Sequence, residues 1–174
     1  DPATDKEELF RRAVLSAATN HTSNGLENME MYDQGMGNWR LSPSFHNLPN
    51  PMTDAQFETG FSDAIMTGNL LRFDERFLVN LGGQMGFNST EALALAYPVT
   101  GALANLEKTM AIHDLSANDR DTVRECVKTK AVQDLHERLS ADEKVQQKVA
   151  QKKELPTVTF EEETPAPRHR GPSM

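Results

Sequence analysis

A nearly uncharged stretch from Ser89 to Asp114 most constrains how this chain can fold. No charged residue lies between Glu91 and Glu107, and Ala92–Val99 is an unbroken apolar run. A helix that is apolar on every side must be enclosed on every side, and the run is too interrupted for the roughly 20 apolar residues of a membrane span. We therefore predict a buried central helix, kinked or split at Pro98 because proline lacks an N–H. Its predicted core residues are Leu95, Leu103 and Leu106.

Capping patterns and the spacing of apolar residues predict further helices on both sides of this stretch. A Ser, Thr or Asn that precedes an acid or amide by three residues can form a capping box. The apolar residues that follow such positions recur at intervals of three and four. No stretch alternates apolar and polar residues as a strand would, so we predict an all-α fold of about five to seven helices. The predicted helices start near Thr4, Thr53, Leu70, Asn88, Ser116 and Ser140, with a short helix over Leu26–Gln34 as an option.

The composition changes near Glu154, where Pro, Glu and Thr become frequent. Such a segment has too few apolar side chains to order itself. We predict one helical domain over residues 1–153 and a flexible tail over residues 154–174. Because the chain begins with Asp1 and not with Met, we also expect it to be a piece of a longer protein.

The net charge of −8 limits the choice of partner. Affinity for nucleic acid comes largely from neutralising phosphates, which a negative chain does poorly, so nucleic acid is not the expected main partner. The positive charge is concentrated in residues 117–153, which carry 9 of the 18 basic residues beside 7 acids. Such mixed signs are typical of a solvated helix face, with a docking stripe for an acidic partner as the alternative. The stripe would consist of Lys144, Lys148 and Lys152.

The residues able to do chemistry do not form a known catalytic or metal-binding pattern. None of the five histidines has an acid three residues before it, as a helical di-iron site requires. His136-Glu137 begins like a zinc-protease helix, but Ser140 stands where the second histidine should be. The single cysteine, Cys126, cannot form an internal disulfide and slightly favours a reducing compartment such as the cytoplasm. Its apolar neighbours predict a buried side chain. We expect no catalytic residue, metal or cofactor.

The segment 26–52 is irregular in pattern but rich in large apolar side chains, including the only tryptophan. A long loop of this composition is either packed against the core or used as a contact surface. We predict that it is ordered, that part of it is buried, and that the remainder near Trp39 contacts a partner. The predicted contact residues are Met29, Met31, Met36 and Trp39.

Three functions remain open at this point. The first is a non-enzymatic module for protein–protein contact: an adaptor, a recruitment domain or a component of a larger assembly. The second is a small enzyme or ligand-binding domain with a pocket at Pro98, where Tyr97, Thr100 or Asn105 would surround the free carbonyl of Ala94. The third is weak binding of anions or nucleic acid through the basic face of residues 120–153. A flat apolar patch around Trp39 would favour the first, and a dry cleft with converging ionisable groups the second.

Overall fold

The computed structural model describes residues 2–19, 21, 29–43 and 73–154 of this chain. Within these ranges the fold is all-α, with one small hairpin of two antiparallel strands. The elements, numbered in chain order, are α1 (Pro2–Thr19), β1 (Met31–Asp33), β2 (Trp39–Leu41), α2 (Glu75–Gln84), α3 (Ser89–Ala104), α4 (Leu106–Ile112), α5 (Ala117–Cys126), α6 (Thr129–Ala141) and α7 (Glu143–Glu154).

The predicted central helix is α3, and the structure confirms that five of the other six described helices pack around it. It contacts α1, α2, α4, α6 and α7, and every residue from Ala92 to Ala96 is buried. Leu95 is 1% exposed and Leu103 is 8% exposed. Leu106 is only partly buried, because α3 ends at Ala104 and Leu106 opens a separate helix. Helix α3 continues through Pro98 without a break, so the predicted split does not occur.

Small residues allow α2 and α3 to approach closely. A Cβ atom placed on Gly82 would lie 2.3 Å from the Cβ of Ala92, which is far inside a van der Waals contact. The ring of Phe10 from α1 borders the same point, at 3.6 Å from that position. Alanine and glycine thus place three helices around a core in which Phe10, Leu78 and Leu95 are almost completely buried.

Two of the predicted helix starts are confirmed by the hydrogen bonds at the helix ends. Asn88 accepts from the Glu91 N–H at 3.0 Å, and the Glu91 carboxylate accepts from the Asn88 N–H at 3.1 Å. This is the predicted capping box. Ser116 likewise accepts from the Asp119 N–H at 3.2 Å, as predicted for the start of α5.

Other predicted starts are wrong. Helix α1 begins at Pro2, a residue type favoured in a first turn, so Thr4 is not its cap. The helix predicted from Leu70 begins at Glu75, where Asp74 accepts from the Phe77 N–H at 3.0 Å. The hydroxyl of Ser140 donates to the carbonyl of His136 inside α6. Helix α7 is capped two residues later by Asp142.

The break between α5 and α6 is a further difference from the helices predicted from the sequence. The chain leaves the helix at Val127, and the N–H of Lys128 donates to the carbonyl of Ala18 at 3.1 Å. An N–H that would have continued α5 therefore attaches this corner to the end of α1.

The remaining predicted elements are partly or wholly outside the described residues. The optional helix over Leu26–Gln34 is not formed at its described end, where Met31–Asp33 is a strand. The helix predicted from Thr53 lies outside the described ranges, as does the tail beyond Glu154.

Candidate functional site: an anchored hairpin with exposed apolar side chains

The turn of the hairpin is made by three residues in left-handed conformations. Gly35 and Gly37 have φ of 106° and 76°, which glycine adopts without a Cβ clash. Met36 between them has φ of 57° and is fully exposed at the tip. The turn is closed by the N–H of Gln34, which donates to the carbonyl of Asn38 at 2.9 Å. The chain thus reverses tightly and carries a methionine side chain into solvent.

The strand register places large apolar side chains on one face of the hairpin. Met31 lies opposite Leu41, and Asp33 lies opposite Trp39. Residues opposite one another point to the same side, so Met31 and Trp39 are diagonal neighbours within reach of each other. Trp39 is 57% exposed and Met31 is 50% exposed. Tyr32, on the other face, is 40% exposed.

Polar contacts with α1 hold the base of this hairpin. The carboxylate of Asp5 accepts from Nε of Arg40 at 3.0 Å and from the N–H of Leu41 at 3.4 Å. Arg12 donates through Nη2 to the carbonyl of Ser42 at 2.6 Å and pairs with Glu8 at 2.9 Å. The hairpin is therefore attached to the bundle at β2 while its tip extends away from it.

The surroundings of Asp5 favour the ionised form of its carboxyl group. Burial raises the pKa of its carboxyl, but hydrogen bonds from Arg40 and from the Leu41 N–H, together with the positive charge of Arg40, outweigh that effect. The net result is a pKa below the ordinary value, so the anchoring carboxylate is ionised at neutral pH.

Three of the predicted contact residues lie together at the exposed part of the hairpin: Met31, Met36 and Trp39. Met29 is only half-buried at its base and does not belong to the exposed set. Tyr32 is a further exposed aromatic residue of the hairpin and was not among the predicted contact residues. The sequence does contain a pattern that could have predicted this hairpin. Gly35-Met36-Gly37 lies between two short segments that each contain an aromatic residue, Tyr32 and Trp39, and glycines at such a position favour a tight turn between two strands.

The predicted lysine stripe on α7 mostly faces the protein itself. Nζ of Lys148 lies 3.7 Å from a Glu91 carboxylate oxygen, and Lys152 pairs with Glu7 of α1. Lys144, in contrast, is exposed. Two of the three ammonium groups therefore connect α7 to α1 and α3, which leaves less free charge for a partner.

A groove does lie beside Pro98, but the polar groups predicted for it point elsewhere. The groove encloses about 570 Å³ and is lined largely by Leu15, Pro98, Val99 and Ala102 with arginines of α1 at its rim. The Asn105 amide donates to the carbonyl of Gly101 at 2.8 Å. Glu8 is the one carboxylate among the described residues that line this groove, and it is already paired with Arg12 at 2.9 Å.

Thr100 and Tyr97 instead contact α6. The Thr100 hydroxyl donates to the carbonyl of Tyr97 at 3.0 Å and lies 3.1 Å from Nδ1 of His136. The Tyr97 and His136 rings are stacked with centroids 4.7 Å apart. Thr100 is completely buried, whereas His136 is partly exposed. This hydroxyl–imidazole pair joins α3 to α6.

Cys126 is buried, as predicted, and its Sγ lies 3.2 Å from the carbonyl of Thr122. Burial raises the pKa of the thiol, which disfavours the reactive thiolate. In the described ranges, no three His, Cys, Asp or Glu side chains are grouped to hold a metal ion. None of the described helices is long and apolar enough to cross a membrane.

Searches against models of protein families, curated proteins and solved structures found no match for this chain.

Proposed function

We propose that this chain is a non-enzymatic protein–protein interaction module whose contact surface is the hairpin. The proposal is supported by one observation: the hairpin exposes large apolar side chains while its base is attached to α1 by hydrogen bonds. Trp39, Met31 and Met36 are in solvent, while Asp5 and Arg12 hold the base.

Exposed tryptophan and methionine on an attached element are suited to binding. Trp is enriched among the residues that dominate binding energies, and Met adapts its shape to varied partners. A preformed hairpin also loses little conformational entropy on binding, because its base is already fixed. Exposing these side chains costs free energy in the isolated protein, and a partner that covers them recovers it.

The charges around the apolar side chains indicate the chemistry of the partner. Glu30 and Asp33 are exposed beside Met31 and Trp39, whereas the nearby Arg40 is already paired with Asp5. We expect a partner surface with an apolar pocket and a basic rim. A partner arginine or lysine could also lie over the exposed face of Trp39, an arrangement that is attractive by about 0.5–1 kcal/mol at an exposed site.

A pair of alanine variants tests the proposal. Trp39→Ala should keep the melting temperature of the wild type and lose the partner in a pull-down that is followed by a binding titration. Ile112→Ala is the matched control, since Ile112 is a 70% exposed apolar residue on α4. It should retain binding. Equal binding by Trp39→Ala and the wild type would rule out the hairpin as the contact surface.

Self-association needs a separate measurement, because a second copy of the chain could cover the same surface. Sedimentation of the wild type and Trp39→Ala at several concentrations distinguishes the two cases. A wild-type dimer that the substitution dissociates would identify a second copy as the partner and would contradict the expected basic rim.

A further inference from the structure

The backbone hydrogen bonds at the two ends of the hairpin fix the direction of its peptide groups. At the base, the N–H of Ser42 donates to the carbonyl of Glu30 at 2.8 Å. At the turn, the N–H of Gln34 donates to the carbonyl of Asn38 at 2.9 Å. In an antiparallel pair, residues whose backbone groups bond across the pair alternate with residues whose groups point away from it. The direction of every peptide group between these two ends therefore follows.

This alternation places peptide groups of β1 on the outer edge of the hairpin. Tyr32 lies opposite Arg40, midway between the two bonded ends, so its backbone groups face β2. The N–H and carbonyl groups of Met31 and Asp33 point the other way. No backbone group of the described residues pairs with them. They form a short row of donors and acceptors of the kind on which a further strand can add.

The outward N–H groups of β2, in contrast, are already used within the protein. The N–H of Leu41 donates to the Asp5 carboxylate at 3.4 Å, and the N–H of Trp39 donates to the carbonyl of Gly37 at 3.2 Å. Both residues are in the outward positions that the alternation requires. The edge of this hairpin that remains for pairing is therefore that of β1.

The side chains of β1 leave its outer edge accessible. Met31 is 50% exposed and Tyr32 is 40% exposed, and Asp33 is exposed as well. Successive side chains of a strand point to opposite faces, so an added strand would have Met31 and Asp33 beside it on one face and Tyr32 on the other. Since β2 is held by α1, the edge is formed before a partner arrives, which lowers the entropic cost of binding.

The charges along this edge determine which strand fits it. Glu30 and Asp33 are exposed acids. Arg40 is the only basic residue in segment 30–43, and it is already paired with Asp5. Opposite charges that face each other across paired strands are stabilising, as are aromatic and β-branched pairs. A matching strand thus has basic residues opposite the two acids and apolar residues opposite the positions between them.

We propose that the partner adds an extended segment as a third strand along the outer edge of β1. Its side chains have the order basic, apolar, apolar, basic opposite residues 30–33. The order is the same in both directions, so it applies to parallel and to antiparallel addition. Backbone hydrogen bonds to Met31 and Asp33 supply affinity, and the flanking side chains supply specificity. This inference rests on the proposed function, because it takes the hairpin as the contact surface and specifies how the partner binds to it.

A synthetic peptide tests strand addition on the whole chain. The peptide carries lysine, valine, valine and lysine in this order between flanking glycine and serine residues. Amide hydrogen exchange is followed by NMR, residue by residue, with and without saturating peptide. The amides of Met31 and Asp33 should exchange about ten-fold more slowly with the peptide, whereas the Tyr32 amide, which faces β2, should change little. Absence of protection, or protection without this alternation, would overturn the proposal.

Two substitutions at Met31 separate the backbone contact from the side-chain contact. Met31→Pro removes the outward N–H, and proline is tolerated on an edge strand where the N–H faces solvent. Met31→Ala shortens the side chain and keeps the N–H. Met31→Pro should bind the peptide about three- to ten-fold more weakly than Met31→Ala, which corresponds to the loss of one hydrogen bond. Equal affinities would contradict strand pairing.

The fluorescence anisotropy of Trp39 shows whether the hairpin is intact in both variants. If proline disrupts the hairpin, the alternation of amide protection in the wild type remains the deciding measurement. A peptide with glutamate in place of lysine should bind more weakly, and equal binding would overturn the preference for a basic strand. Protection of Met31 and Asp33 that increases with the concentration of the protein alone would identify a second copy as the added strand and overturn the proposal.

The failure of this inference can be distinguished from the failure of the proposed function. If Trp39→Ala loses the partner but the peptide leaves exchange at Met31 and Asp33 unchanged, the hairpin is the contact surface and strand addition is wrong. Unchanged partner binding by Trp39→Ala would contradict the proposed function itself.

Discussion

The carboxylate of Asp5 lies 3.0 Å from Nε of Arg40, and this pair connects the first turns of α1 to β2 across 35 residues of sequence. Trp39 is adjacent to Arg40, so the ion pair also fixes where the tryptophan stands relative to the bundle. The pair is mostly buried, with Asp5 14% and Arg40 20% exposed at their side chains. Beside the hydrogen bond from Arg12 to the Ser42 carbonyl, the attachment of the proposed contact surface thus depends on the ionisation of the Asp5 carboxyl group.

The mobility of Trp39 should therefore depend on pH. The folded pKa of Asp5 is lowered, so its stabilising contribution is complete above the unfolded value of about 4 and is lost as pH falls through the lowered value. Trp39 is the only tryptophan, so its fluorescence anisotropy reports the hairpin directly. We expect the anisotropy to be constant above about pH 4 and to fall below it. Asp5→Ala should give the low value already at neutral pH, and an unchanged anisotropy in this variant would show that Asp5 does not hold the hairpin.

Adjacent glycines of α2 should respond oppositely to alanine. At Gly82 the added Cβ would lie 2.3 Å from the Cβ of Ala92, so α2 and α3 would have to separate. We expect Gly82→Ala to destabilise by about 1–3 kcal/mol, as overpacking does. At Gly83 nothing lies within 4 Å, and alanine should stabilise the helix by about 0.5–1 kcal/mol. Urea unfolding of both variants checks this, and similar free energies for the two would contradict the close approach.

Truncation within α3 should be costly where the side chain is enclosed. Leu95 is 1% exposed, and Leu95→Ala should lower the free energy of unfolding by about 2–5 kcal/mol. Leu106 at the start of α4 is only partly buried, so Leu106→Ala should lower the free energy of unfolding by less than Leu95→Ala does. Thermal or denaturant unfolding gives both values. A change below about 0.5 kcal/mol at Leu95 would mean that the core lies elsewhere.

The features that the sequence predicted are those determined by nearby residues. The apolar run of α3 requires burial whichever elements pack against it, so its burial could be predicted from the run alone. The cap of that helix is formed by Asn88 and Glu91, which are only three residues apart in the sequence. Ser116 is a similar case. Burial of Cys126 followed from its apolar neighbours in the same way.

The features that were missed depend on distant partners. The strands of the hairpin have three residues each, too few for alternation to be detected, and Asp5 holds them from 35 residues away. The α5–α6 break depends on the carbonyl of Ala18. Lys152 resembled a solvated lysine in the sequence because nothing local indicated its pairing with Glu7.

Lys128 should make stability rise with pH, as Asp5 does, but in an alkaline window. Its folded pKa is lowered to about 8, so the unfolded chain binds more protons between about pH 8 and 10.5, and stability rises with pH across that window. At neutral pH both states are protonated, and the folded state carries the cost of a partly buried ammonium. Lys128→Met removes that charge. Since the site is partly exposed and solvent screening reduces the effect, we expect the variant to be more stable by only about 1 kcal/mol at neutral pH.

This difference should shrink towards zero as pH rises to about 10, because the wild-type amine is then neutral as well. Urea unfolding of the wild type and Lys128→Met at several pH values measures it. Lys144→Met, where the side chain is exposed, should differ from the wild type by an amount that does not change over the same range. If Lys128→Met is instead less stable at every pH, the ammonium makes a favourable contact that outweighs its burial. If the difference is constant, the amine does not titrate in this window.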